Sequence, residues 1–141
     1  MKLDSANRLI LDKPTWDLIV SINTEVNGRI KYKTDTELYG KPDFWTIAES
    51  AGDCDDYSLT KRFLLKKAGI PSSCLRLATA YVESVKGPGT GGYHCVLLIE
   101  TDRGTFCLDN RYTVINNFKK LPYKWALIQA KNSPIWQKIK N

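Results

Sequence analysis

One histidine, His94, serves the whole 141-residue chain. Its four cysteines, Cys54, Cys74, Cys95 and Cys107, include no Cys-x-x-Cys pair, so the ligand spacing of a structural zinc site is missing. No stretch approaches the roughly 18 uninterrupted apolar residues of a membrane helix, and no membrane insertion is expected. The opening MKLDSANRLIL lacks the apolar core and small-residue cleavage site of a signal peptide. The expectation is therefore synthesis in the cytoplasm without a secretion signal. No repeat, low-complexity tract or linker divides the chain, and residues 1–141 are taken as one domain. The net charge of +6 is spread along the sequence rather than gathered in a basic stripe interleaved with aromatics. No nucleic-acid surface is expected, although an anionic polymer such as cell wall would suit this charge. A monomer is expected.

What is present suits a single packed core: 43% of residues are hydrophobic and 26% charged. Residues 14–26 carry apolar side chains at helical spacing, with Pro14 suited to the first turn and Asn27-Gly28 as the stop. A second helix is predicted over 54–67. Asp53, Asp55 and Asp56 load its start with acid, Lys61, Arg62, Lys66 and Lys67 load its later turns with base, and Gly69 caps it. Its predicted inward face is Tyr57, Thr60, Phe63, Leu64 and Ala68. Residues 30–33 read as a short strand or extended arm, and 34–45 as a loop. Strands follow at 75–85, 93–100, 105–108 and 123–129, with a glycine-rich loop at 87–92 and a turn at 101–104 that makes a hairpin. A short segment around Pro134 and Trp136 packs back. This is an α+β plan, with N-terminal helices on an antiparallel sheet. Trp16, Trp45, Trp125 and Trp136 read as core anchors, with Trp45 also a candidate for lining the cleft.

Three residues carry the chemistry. Cys54 opens a helix, where exposed backbone N–H groups favour a thiolate. Its acidic neighbours work against this unless a cation offsets them. His94 begins an apolar strand. Pairing across the 101–104 turn brings His94 within a residue or two of Asp109 on one face, where a carboxylate can hold the imidazole tautomer. The same register sets Cys95 and Cys107 on opposite faces and argues against a disulfide between them. Cysteine, histidine and aspartate in this order and these settings make a papain-like triad.

The segment GDCDDYSLTK (52–61), followed by AGIP (68–71) and LRL (75–77), resembles the bacterial transglutaminase-like cysteine proteinases. Val26-Asn27, Ile30, Tyr32, Asp35 and Asp43-Phe44-Trp45 are similar to that family's lead-in. Tyr93 to Leu97 and Leu108-Asp109-Asn110 are similar to its His and Asp blocks. The resemblance implies a papain-like, transglutaminase-like core with Cys54, His94 and Asp109 as catalytic residues. It also implies calcium held by Asp53 and Asp55, the acids flanking the nucleophile; at Asp55 the family more often has Glu. The expected activity is that of a cysteine endopeptidase acting on protein or peptide substrates through an acyl-enzyme. A peptidoglycan cross-link peptidase, phage-encoded or of lysis type, is the alternative within enzymes. Transglutaminase-type acyl transfer would use the same triad. A catalytically inactive binding module on the same fold is the reading from another class.

Overall fold

The computed structural model describes residues 3–29, 31–32, 51–52, 54–82, 92–110, 114–129 and 136–138. At 29, 31–32, 51–52, 54–56, 82 and 92–93 only the backbone is described. The predicted loop at 34–45, including Trp45, lies outside the described residues, as does 83–91, which takes in most of the glycine-rich loop.

Helix α1 spans Lys13–Arg29. Asp12 caps it: Oδ1 accepts from the Thr15 N–H at 2.9 Å, and the Asp12 carbonyl accepts from Trp16 N–H at 2.9 Å. The Thr15 hydroxyl and N–H hold the Asp12 carboxyl below its ordinary range. Thr15, Ile19, Ile22 and Val26 make the buried stripe. The helix does not stop at Asn27-Gly28, contrary to the sequence expectation. Gly28 has open space around it and keeps the helical conformation. Asn27 stays in the helix and spends its side-chain amide on the backbone of Asp109, as described below.

Helix α2 spans Cys54–Lys67, the bounds predicted from sequence. It ends in a Schellman turn: Gly69 adopts φ +108°, Ile70 N–H donates to Leu65 O at 3.0 Å, and Gly69 N–H donates to Lys66 O at 3.0 Å. Ile70 and Leu65 are both buried, which supplies the apolar contact of that motif. The buried face of α2 is Tyr57, Ser58, Thr60, Lys61 and Leu65. Phe63 is 47% exposed, so the predicted inward face was rotated. Positions 57, 61 and 65 are spaced four apart and share one side of the helix. A lysine on that stripe hid it.

Two residue pairs, β1 (Lys31–Tyr32) and β2 (Ala51–Gly52), form a small parallel ladder just before α2. The main sheet contains β3 (Leu75–Val82), β4 (Gly92–Thr101), β5 (Gly104–Leu108), β6 (Asn116–Asn117), β7 (Lys124–Gln129) and β8 (Trp136–Lys138). Its order is β6-β5-β4-β3-β7-β8, with every pairing antiparallel. Helix α2 packs on β4, and α1 packs on α2. The fold is thus the expected helix-and-antiparallel-sheet arrangement. β6 and β8 were not expected as strands; both are short edge pieces whose partners, not their own composition, make them extended.

The central strand β4 is sealed on both faces. Cys95, Leu97 and Ile99 join the core formed with α1 and α2, while Val96 and Leu98 pack with Ala78, Ala80, Tyr123 and Trp125. Cys95 and Cys107 belong to different clusters, as the hairpin register requires, and Cys74, Cys95 and Cys107 are buried free thiols. Trp125 is buried, and Trp16 and Trp136 pack against the core.

Candidate active site

The β4–β5 hairpin pairs Thr101 with Gly104, Leu98 with Cys107 and Leu97 with Leu108. Pairing stops there, so Asp109 leaves the ladder one residue on and sits diagonally from His94. Gly104 adopts φ +122° at the turn, which favours glycine. The result at the far end is a direct contact: His94 Nε2 lies 2.6 Å from Asp109 Oδ1. Both side chains are buried, His94 at 6% and Asp109 at 3% exposure. A carboxylate at Nε2 favours the proton on that nitrogen and leaves Nδ1 with a lone pair able to accept a proton.

Three contacts from distant parts of the chain fix this pair. The Tyr123 hydroxyl donates a short hydrogen bond to Asp109 Oδ2, the second carboxylate oxygen. The Tyr123 ring also stands edge-on to the His94 ring, with centroids 5.9 Å apart. Asn27 Nδ2 donates to the Asp109 carbonyl at 2.9 Å, so α1 anchors the backbone that carries the carboxylate. Neither Tyr123 nor Asn27 was singled out for the site from the sequence. A hydroxyl-bearing aromatic at the head of a predicted strand was the available signal for Tyr123; for Asn27, the stop reading masked it.

Cys54 is the first residue of α2, so its backbone stands where unpaired helical N–H groups stabilise negative charge. One turn later the Ser58 hydroxyl donates to Cys95 O at 3.2 Å. That bond ties the start of α2 to the strand residue next to His94. The side chains of Cys54 and Asp55, and the whole of Asp53, lie outside the described residues. Among the described residues no cluster of three or more His, Cys, Asp or Glu side chains could hold a metal. The donors at Asp53 and Asp55 are hard carboxylate oxygens, the type that calcium takes.

Lys61 is a further buried charge among the described residues. It is 0% exposed, and its Nζ has no hydrogen-bond partner among the described residues. Nζ lies 6.0 Å from the Tyr57 ring centroid. Burial pushes its pKa down to about 8, against an opposing pull from the Asp109 carboxylate and then Cys107. The buried Cys107 thiol is pushed up in turn, by burial first and by Asp109 second.

The family model described as bacterial transglutaminase-like cysteine proteinase (BTLCP) matches residues 2–141. Calcium-bound LapG of Legionella pneumophila superposes with a TM-score of 0.72 at 25% identity, over 92% of this chain and 72% of that one. EGTA-treated LapG gives 0.71 at 25% identity, over 92% and 70%. A further LapG structure gives 0.66 at 25% identity, over 83% and 66%. No curated protein matches the chain significantly.

Proposed function

The chain belongs to the bacterial transglutaminase-like cysteine proteinases and is a cysteine peptidase; we propose that Cys54, His94 and Asp109 form its catalytic triad and that it cleaves peptide bonds through an acyl-enzyme. The observation that carries this reading is the buried 2.6 Å contact between His94 Nε2 and Asp109 Oδ1, beside a strand tied to the helix that Cys54 opens. His94 Nδ1 takes the Cys54 proton, and the thiolate attacks the substrate carbonyl carbon. The backbone N–H groups at the start of α2 face the oxyanion that develops. The imidazolium then protonates the leaving amine as the C–N bond breaks. Water, deprotonated by His94, hydrolyses the thioester and frees Cys54. Asp109 keeps the ring oriented and stabilises its positive form, and Tyr123 and Asn27 keep Asp109 in place.

In this reading Asp53 and Asp55 hold a calcium ion. Bound there, the ion supplies positive charge that offsets the acids around Cys54 and favours its thiolate. The structurally similar LapG of Legionella pneumophila in its calcium-bound form supports the metal's relevance to this fold. Calorimetry with calcium on the wild-type chain and on Asp55→Ala checks it: heat of binding in the first and weaker binding in the second are expected, and no heat at millimolar calcium removes the metal from the reading.

The triad is tested at Cys54. Because Cys74, Cys95 and Cys107 are buried, iodoacetamide should label the native chain at Cys54 alone. Cys54→Ala should lose both this labelling and all cleavage of protein substrates; retained cleavage sinks the triad. Clearing of cell-wall zymograms with no protein cleavage would instead move the substrate to peptidoglycan, which the net charge of +6 also suits.

A further inference from the structure

Away from the triad, the hairpin end of the molecule carries apolar side chains that the core does not enclose. The start of α1 and the β4–β5 turn stand around a pocket of about 470 Å³. Leu11, Trp16, Phe106 and Ile115 form its floor, and Asp12, Lys13 and Arg103 form its rim. Phe106 pairs with Ile99, five residues along β4 from His94, which sets the pocket roughly 17 Å from that histidine. The proposed cleavage makes no use of it.

The floor is built to stay in place. The Trp16 and Phe106 rings meet edge to face, with centroids 5.3 Å apart. Both also pack on the main core, so neither is free to fold over and shut the pocket. An apolar hollow held open to water and rimmed by charge is the pattern of a binding surface.

The rim sets the sign of the occupant. Asp12 Oδ1 accepts from the Thr15 N–H, and in the turn Asp102 Oδ1 accepts from the Leu11 N–H, each at 2.9 Å. The Lys13 ammonium is paired with Asp17 at 2.9 Å. Arg103 is exposed, and its guanidinium makes no ion pair or hydrogen bond among the described residues. Its backbone is fixed all the same: the Arg103 N–H donates to Thr101 Oγ1 at 3.1 Å, and Gly104 closes the turn at φ +122°. A guanidinium on a rigid turn beside an apolar pocket suits a carboxylate with a bulky apolar group next to it. The pocket is open to solvent, which suits a side chain reaching down from a chain that passes over the surface.

We propose that this pocket is a docking site for an extended protein segment that presents a bulky apolar residue with acidic residues beside it. The net charge of +6 favours the approach of such a segment. The inference stands apart from the triad reading.

The test is fluorescence anisotropy with a labelled short peptide that carries a phenylalanine between two glutamates. It is run on the Cys54→Ala chain, so that cleavage of the probe plays no part. Binding should saturate below about 1 mM peptide. Arg103→Glu should weaken it at least about tenfold, and Leu11→Asp, which puts a charge into the apolar floor, by a similar factor. Lys138→Glu makes the same change of net charge on the exposed edge strand β8 and should bind as the parent chain does. A peptide with lysines in place of the glutamates should not bind. No saturation at millimolar peptide overturns the proposal. So does full binding by Arg103→Glu, equal binding of the lysine peptide, or a loss in Lys138→Glu as large as that in Arg103→Glu, which would assign the effect to net charge. A dimer in sedimentation that Arg103→Glu dissolves would give the pocket to a second copy of the chain and overturn it as well.

Discussion

The two ends of β4 are held by different kinds of contact. At the hairpin end, position comes from backbone. Thr101 pairs with Gly104, the Thr101 hydroxyl donates to Gly104 O at 2.8 Å, and Leu9 and Asp102 stitch the N-terminal segment alongside through backbone bonds of 2.9 and 3.1 Å. The surface there is a pocket of about 470 Å³ floored by Leu11, Trp16, Phe106 and Ile115. At the His94 end, ladder pairing with β5 has already stopped. Pairing with β3 continues past His94 to Gly92, and side chains sent by α1, α2 and the approach to β7 supply what β5 no longer does: Asn27, Ser58 and Tyr123. The first end can tolerate small shifts, because its contacts are many and alike. At the second, the side-chain contacts among the described residues are each unique, and each bears on the geometry of one histidine. Mutations at the two ends should therefore separate stability from activity.

The largest effect is expected from Asp109→Asn. The amide offers an N–H or a neutral oxygen where His94 meets an anion, so the tautomer and the imidazolium both lose support. Catalytic efficiency should fall about 10³-fold with the fold intact, as judged by circular dichroism. An activity loss below tenfold would place the orienting role elsewhere. Tyr123→Phe removes one donor from a buried carboxylate, which costs about 1–3 kcal/mol and should lower efficiency about tenfold, read as kcat rather than KM.

Lys61 adds a pH signature to stability. In the folded chain its pKa is depressed to about 8 from an ordinary 10.5, so between these values the unfolded chain binds more protons. The wild type should gain stability relative to Lys61→Met as pH rises through that window, and melting curves below and within it check the sign. Below pH 8 both states are protonated and the penalty of the buried charge is fully present. The smallest effect is expected at the hairpin end. Asp102→Ala loses the bond from Leu11 N–H at 2.9 Å and should cost about 1 kcal/mol in chemical denaturation, with alkylation of Cys54 unchanged. A drop in Cys54 reactivity there would show that the two ends are coupled.

Much of this architecture was legible before the structure. Helix α2 was bounded correctly because its charge gradient and Gly69 are local signals. The hairpin was legible because its turn and its alternation lie within a few residues. That register also brought His94 and Asp109 together on paper. The failures have the opposite origin. Asn27-Gly28 has the composition of a stop, yet the Asn27 side chain is held by Asp109, 82 residues away. Phe63 was expected on the inward face and Lys61 was left off it because apolarity was read as burial; in the packing of α2 on β4, Lys61 is buried and Phe63 is exposed.

By itself, then, the amino-acid sequence determined the helices, the hairpin, the α+β plan and the chain order of cysteine, histidine and aspartate. These follow from periodicity, capping and turn chemistry, which act over a few residues. Only the tertiary structure decided that β3 would lie between β4 and β7, that a tyrosine hydroxyl would take the second oxygen of Asp109, and that a lysine would be sealed beneath the helix that Cys54 opens. Those outcomes depend on which distant surfaces meet when the core closes. No local pattern encodes that, because each partner is satisfied only by a residue far from it along the chain.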